Sequence, residues 1–301
     1  MVDWTPNIGQ LQAFDDGEWS RVERGYTGRL LAYVARRVID VQAREDIVQD
    51  AFLGAVRGIP SFDAMYTFEQ YLFGICRNRT IDYLRRRKAA QWAASEDDDD
   101  RSSALDQIAQ ESETPSTIVR QEDIRGKGRK LLFEILRDWV QETWQAGEFK
   151  RLMVIEALLA AGWRNRDTWE RFGLRDETAV AGIKFRALKR LRELAAQCDP
   201  ASSLLPALAD EAEAGGTGLE VGAIWRENRV SCPARHWIAR DIAGTLDDGP
   251  TGFLKFHIEE MGCEWCQANR DDLSSGEADL EPLLERVRAS TAAVLRSRTV
   301  R

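Results

Sequence analysis

Residues Ala43 to Lys88 read AREDIVQDAFLGAVRGIPSFDAMYTFEQYLFGICRNRTIDYLRRRK, and this stretch decides the fold. Ile47, Val48, Ala51, Phe52, Ala55, Val56 and Ile59 recur at helical spacing and make one apolar stripe. Asp46, Asp50 and Arg57 fall on the other side, and Gly58 with Pro60 ends the helix. A second helix is expected from about Phe68 to about Arg87, with Phe68, Tyr71, Leu72, Ile75 and Leu84 as its core face. Arg77, Arg79, Arg85, Arg86, Arg87 and Lys88 crowd its C-terminal half, with Asn78 and Asp82 among them. A helix apolar on one side and this basic on the other predicts a surface that tracks phosphates.

Outward from this pair the same spacing continues. Period-two alternation is scarce and Ala, Leu, Arg and Glu dominate, so the expected fold class is all-α. A length of 301 residues suggests two or three domains. The first spans 18–90 and opens with a helix from Tyr26 to Ile39, with Leu30, Leu31, Val34 and Val38 facing inward. From 91 to 125 the periodicity fades around the wholly acidic run Glu96 to Asp100, which reads as a linker. A second helical domain, 126–197, has the pattern of a helix-turn-helix. Leu152, Ile155, Leu158 and Leu159 give one core helix, Trp163 to Phe172 a short second one, and Gly173 with Leu174 the turn. Asp176 to Leu194 is then the candidate recognition helix, with Lys184, Arg186, Lys189, Arg190 and Arg192 for phosphates. An Ala/Gly-rich connector, 198–220, leads to a third module at 221–273. An amphipathic helix at 274–301 carries Leu280, Leu283, Leu284, Val287, Val294 and Leu295 on one face and is expected to pack on its own chain.

The net charge is −8, yet the charge is segregated, and local fields decide where a polyanion docks. No run of apolar residues is long enough to cross a membrane. The start, MVDWTPNIGQ, lacks the basic-then-apolar pattern of a secretory signal, so a cytoplasmic location is expected. Five cysteines, two of them in a C-x-x-C, fit a reducing compartment and a metal site better than a disulfide scaffold.

The candidate metal ligands are Cys232, His257, Cys263 and Cys266, since thiolates and imidazole are the usual donors of structural zinc. The alternative is a metal-free helical module whose reduced cysteines are buried as small hydrophobes. His236 reads as a surface or core histidine. In the sequence no Glu or Asp with a base role stands beside an open three-ligand site, which argues against a hydrolytic centre and against an enzyme.

The two helices quoted first resemble region 2 of the extracytoplasmic-function (ECF) sigma factors of bacterial RNA polymerase. The matches are Glu45, Asp46, Ile47, Val48, Gln49, Asp50 and Phe52, then Tyr71, Leu72, Ile75, Cys76, Arg77, Asn78, Asp82, Arg85 and Arg86. Tyr71 stands where Trp is common in the family. The run Arg186 to Arg192 resembles the end of the region 4 recognition helix, although Ala179 to Lys184 carries fewer polar side chains than the family does there. The resemblance implies a DNA-binding specificity subunit that directs promoter recognition and opening. Asp46, Gln49, Asp50, Leu53 and Arg57 would meet the coiled coil of the polymerase β′ subunit. Phe62 and Tyr66, in the loop from Ser61 to Thr67, would meet flipped bases. Arg77, Asn78, Arg79, Arg85, Arg86, Arg87 and Lys88 would meet promoter DNA, and the acidic linker would thread through the polymerase. The third module resembles the zinc-binding domain of anti-sigma factors, with two more residues than usual between His257 and Cys263. That implies regulation within one chain, with inhibition the simpler expectation. The alternative is a stand-alone helix-turn-helix regulator that binds DNA without polymerase.

Overall fold

Asp15 starts the first long helix, its carboxylate accepting the Glu18 backbone N–H at 2.7 Å, and Asp40 starts the next by accepting that of Ala43 at 3.2 Å. Each satisfies a donor that a helix start leaves without an intrahelical partner. The computed structural model describes residues 4–62, 66–94, 121–198, 221–275 and 280–299, and every regular element among them is helical. They fall into two compact units, Met1–Ser116 with Ala268–Arg301, and Thr117–Gln267.

The first unit holds α1 (Ile8–Gln12), α2 (Asp16–Ala35), α3 (Val41–Gly58), α4 (Phe68–Ala94) and the C-terminal α13 (Glu281–Thr299). The opening helix α2 starts well before the expected Tyr26 and stops at Ala35 rather than Ile39. The Asp15 cap sets the start, while Gly17, Gly25 and Gly28 blur the apolar spacing. Likewise α4 runs on to Ala94, because the Ala-rich sequence after Lys88 is helix-forming and has no Gly or Pro stop. The described helices thus take in 91–94 and 121–125 of the stretch read as a linker. The acidic run Glu96 to Asp100 lies outside the described residues.

Helix α3 packs on α2, α4 and α13. Its buried residues, Ile47, Val48, Ala51, Phe52, Ala55 and Val56, wrap about half of the cylinder. Toward α4, the Tyr71 hydroxyl donates to the Ala55 carbonyl at 3.0 Å. Toward α13, Arg286 pairs with Glu45. So wide an apolar face needs several walls, and α13 supplies one by burying Leu283, Leu284, Val287 and Leu295. Each such side chain contributes roughly 1.5–3 kcal/mol, taken as an upper bound.

Within that contact Glu23 of α2 is 2 % exposed and accepts the Thr291 hydroxyl. Burial pushes its carboxyl up to about 7, with Thr291 and Arg288 pulling it back and Asp16 adding to the rise. The folded state then holds a proton that the unfolded chain has lost, so this group's contribution to stability falls as pH rises from about 4.5 to about 7. Glu23→Gln, which mimics the protonated acid, is expected to raise the stability of this unit by about 2–3 kcal/mol near pH 8 and by almost nothing near pH 4.5. Thermal melts at the two pH values check this, and an equal effect at both would contradict it.

The second unit holds α5 (Gln121–Gln145), α6 (Phe149–Leu159), α7 (Asn165–Arg171), α8 (Glu177–Cys198), α9 (Val221–Glu227), α10 (Arg235–Ile242), α11 (Asp248–Lys255), a π turn at Phe256–Glu260, and the start of α12 (Glu264–Ser274). Gly173 takes φ +56 after α7, the left-handed backbone that the turn requires. One core joins Trp139, Leu152, Ile155, Phe172, Val180 and Ala187 to Ile224, Trp225, Phe253 and Phe256. The segments 126–197 and 221–267 thus share a single interior, where the sequence suggested separate modules. The connector between them, 199–220, is outside the described residues.

Candidate functional site

On α3 the residues at Asp46, Asp50 and Arg57 are exposed, and Gln49 and Leu53 are half-buried beside them. They make a narrow mixed-charge strip along the side of the helix turned away from its apolar face. Asp46 is not wholly without a partner, since the Gln42 amide donates to it at 3.0 Å. The strip stays open with α13 docked, because α13 takes the shoulder marked by Glu45.

On α4, Asn78, Arg79, Asp82, Arg85 and Arg86 are exposed at spacings of i, i+1, i+4, i+7 and i+8, which is one helix face. Arg87 is exposed but points around the other side, and Arg77 and Lys88 are half-buried. In the preceding loop the structure separates the two aromatic candidates. Phe62 packs edge-on against Tyr71, ring centroids 5.3 Å apart, whereas Tyr66 is half exposed. Tyr71 is itself a packing residue, its phenol pushed up to about 12 by burial. Residues 63–65 lie outside the described residues.

In the helix-turn-helix, Asp176 caps α8 by accepting the Ala179 N–H at 2.9 Å, and that bond, with Arg175 beside it, holds its carboxyl below the usual range. Arg186, Lys189 and Arg192 are exposed, and Lys184 is half-buried. Arg190 differs: its guanidinium grips Glu142 of α5 through two bonds of 2.9 and 2.6 Å and also reaches Glu193 at 3.2 Å. It fastens α8 to α5, so its place is in the packing rather than on the open basic face. One residue escaped the sequence reading. Phe185 is 64 % exposed, on the same outward face as Thr178, Ala181 and Lys189. The signal was available, as an aromatic among charges off the apolar stripe.

The four candidate metal ligands converge. The donor atoms of Cys232, His257, Cys263 and Cys266 all lie within 4.8 Å of one another, with Cys232 and Cys263 sulfurs 3.5 Å apart. The two additional residues between His257 and Cys263 are absorbed by the π turn and by Gly262, whose φ of +64 turns the chain back. The imidazole therefore stays with the thiols. Its Nδ1 is held by Glu156 of α6 at 2.7 Å, while Nε2 is buried with no hydrogen-bond partner. Hydrogen bonds from Cys232 and Cys266, with the histidine charge beside them, hold the Cys263 thiol well below its usual range. Cys232 is pushed up to about 11, first by its bond to Cys263, and Cys266 is raised by burial. An orphaned imidazole nitrogen facing three sulfurs is the donor set of a tetrahedral zinc site, and the residues fit that ion. His236 stacks on Trp237 and is outside the cluster. Glu156 does stand beside the cluster, as the sequence could not reveal, but behind the histidine ring, and four protein donors leave no open position for hydrolysis.

Among the described residues no helix is long and apolar enough to cross a membrane. The sigma-70 region 2 family model matches residues 24–90. A probable RNA polymerase sigma factor of Haemophilus influenzae is 34 % identical over 59 residues, 20 % of this chain and 30 % of that protein. The ECF RNA polymerase sigma factor SigW of Bacillus subtilis is 32 % identical over 81 residues, 27 % of this chain and 43 % of that protein. The chain thus spans less than half the length of these curated relatives. No solved structure matches it. With the α3–α4 pair in place and these matches upon it, residues 24–90 of the chain carry a sigma-70 region 2 domain, similar over 59 to 81 residues to these two sigma factors.

Proposed function

We propose that this protein is a transcription initiation factor rather than an enzyme: it binds core RNA polymerase and directs promoter recognition and opening. The observation that carries this reading is the region 2 pair itself, a mixed-charge strip on α3 next to a basic face on α4, over one shared core. Asp46, Gln49, Asp50, Leu53 and Arg57 form the polymerase-binding strip. Asn78, Arg79, Arg85 and Arg86, with Tyr66 in the loop before them, face the DNA as it opens, and Arg77, Arg87 and Lys88 add positive field at the flanks. In the second unit α8 lies in a major groove, with Lys184, Arg186, Lys189 and Arg192 toward phosphates and Phe185 toward an apolar base edge such as a thymine methyl.

Cys232, His257, Cys263 and Cys266 hold a structural zinc ion, which supplies a cross-link and no reaction. As for regulation within the chain, α13 leaves the polymerase-binding strip exposed. That favours support of region 2 by the C-terminal helix over inhibition by covering it.

Run-off transcription with purified core polymerase tests the whole reading. The protein should confer promoter-specific transcripts, and promoter binding should depend on core polymerase. Tight specific binding without polymerase would favour a stand-alone regulator. Within that assay, Lys189→Gln with Arg192→Gln should weaken closed-complex binding on all sequences and reduce the slope of log affinity against log salt by about 1.8, roughly 0.9 per lost phosphate contact. An unchanged slope would take α8 off the DNA.

A further inference from the structure

Glu156 interrupts the apolar run Met153-Val154-Ile155-Glu156-Ala157-Leu158 on α6 and is 2 % exposed. Such a carboxylate is costly to bury unless it is compensated. Its Oε1 accepts the Ser231 hydroxyl at 2.6 Å and lies 2.7 Å from His257 Nδ1. Ser231 in turn accepts the Trp225 indole N–H at 2.9 Å. Both partners of Glu156 belong to the metal module, while Glu156 itself belongs to the first helix of the helix-turn-helix. A histidine that binds metal through Nε2 presents Nδ1–H to an outer acceptor, which fixes its tautomer and ring orientation.

We propose that Glu156 is the positioning residue of the metal site, and that through it metal occupancy sets the order of the helix-turn-helix. The inference rests on the metal reading above. With metal bound, His257 is fixed and the Glu156 carboxylate is compensated. Without it, the ring is free to turn away, and the buried carboxylate keeps the Ser231 hydroxyl but loses the imidazole, one of its two partners. Helix α6 packs directly on the recognition helix α8, so disorder in the first reaches the second.

Two measurements on the full chain test this, with zinc and cobalt(II) as probes. Glu156→Ala should lower metal affinity about 10–100-fold in chelator competition and shift the cobalt d–d bands, and Glu156→Gln, which keeps an acceptor oxygen, should lower it less. In the unaltered protein, stripping the metal should speed amide exchange in α6 and α8 and leave α3 unchanged. Equal metal affinity in all three proteins, or α6 protection indifferent to metal, overturns the proposal while the metal site stands. An unaltered protein that takes up neither ion overturns the metal reading first, and this one with it.

Discussion

Cys263→Ser with Cys266→Ser is expected to abolish zinc binding and unfold the second unit, leaving the first unit's melt in place. Structural zinc contributes on the order of 10–16 kcal/mol of apparent binding free energy in small metal-folded domains, while a whole domain is stable by only about 5–15 kcal/mol. Here an ion held by the cluster would tie Cys232, the π turn and the start of α12 together next to one shared core. Losing that ion would remove the cross-link and leave His257 held only through its contact with Glu156. Were the cluster merely buried thiols, the two hydroxyls would cost about 1–3 kcal/mol each, and the unit would still fold. Metal content by elemental analysis and a two-transition melt separate the cases. A metal-free protein whose double variant keeps full stability would eliminate the site.

Asp46→Arg with Asp50→Arg is expected to lower affinity for core polymerase about 100-fold, with almost no loss of stability. Both carboxylates are exposed, and exposed substitutions away from special features cost within about 0.5 kcal/mol. Reversing two charges at a complementary interface costs several times that, through the approach rate and the bound state together. Affinity measured by fluorescence anisotropy, beside a thermal melt of each protein, reads both quantities. Undiminished affinity would remove α3 from the polymerase interface.

The sequence by itself determined the elements and much of the chemistry. The apolar repeat of Ile47 to Ile59, the stop at Gly58 and Pro60, and the basic run after Arg77 specify a helix pair and its charged sides, because helical spacing is a local property. The ligand types at Cys232, His257, Cys263 and Cys266 were legible for the same reason. Spacing alone could not show that a π turn and Gly262 keep His257 in register. Tertiary structure alone decided what lies far apart in the chain and close in space. Arg190 carries the same charge as Lys189, yet Glu142, distant in sequence, claims it for packing. Phe62 and Tyr66 are both loop aromatics, but Tyr71 covers the first and leaves the second open. Glu156 reads as an odd charge in an apolar helix until His257 and Ser231 are brought against it. Most of all, α3 has an apolar face too wide for its neighbours in sequence, and the missing wall, α13, comes from the far end of the chain. The pattern on a helix states how much surface must be buried; which segment buries it depends on long-range packing, which no local window of sequence contains.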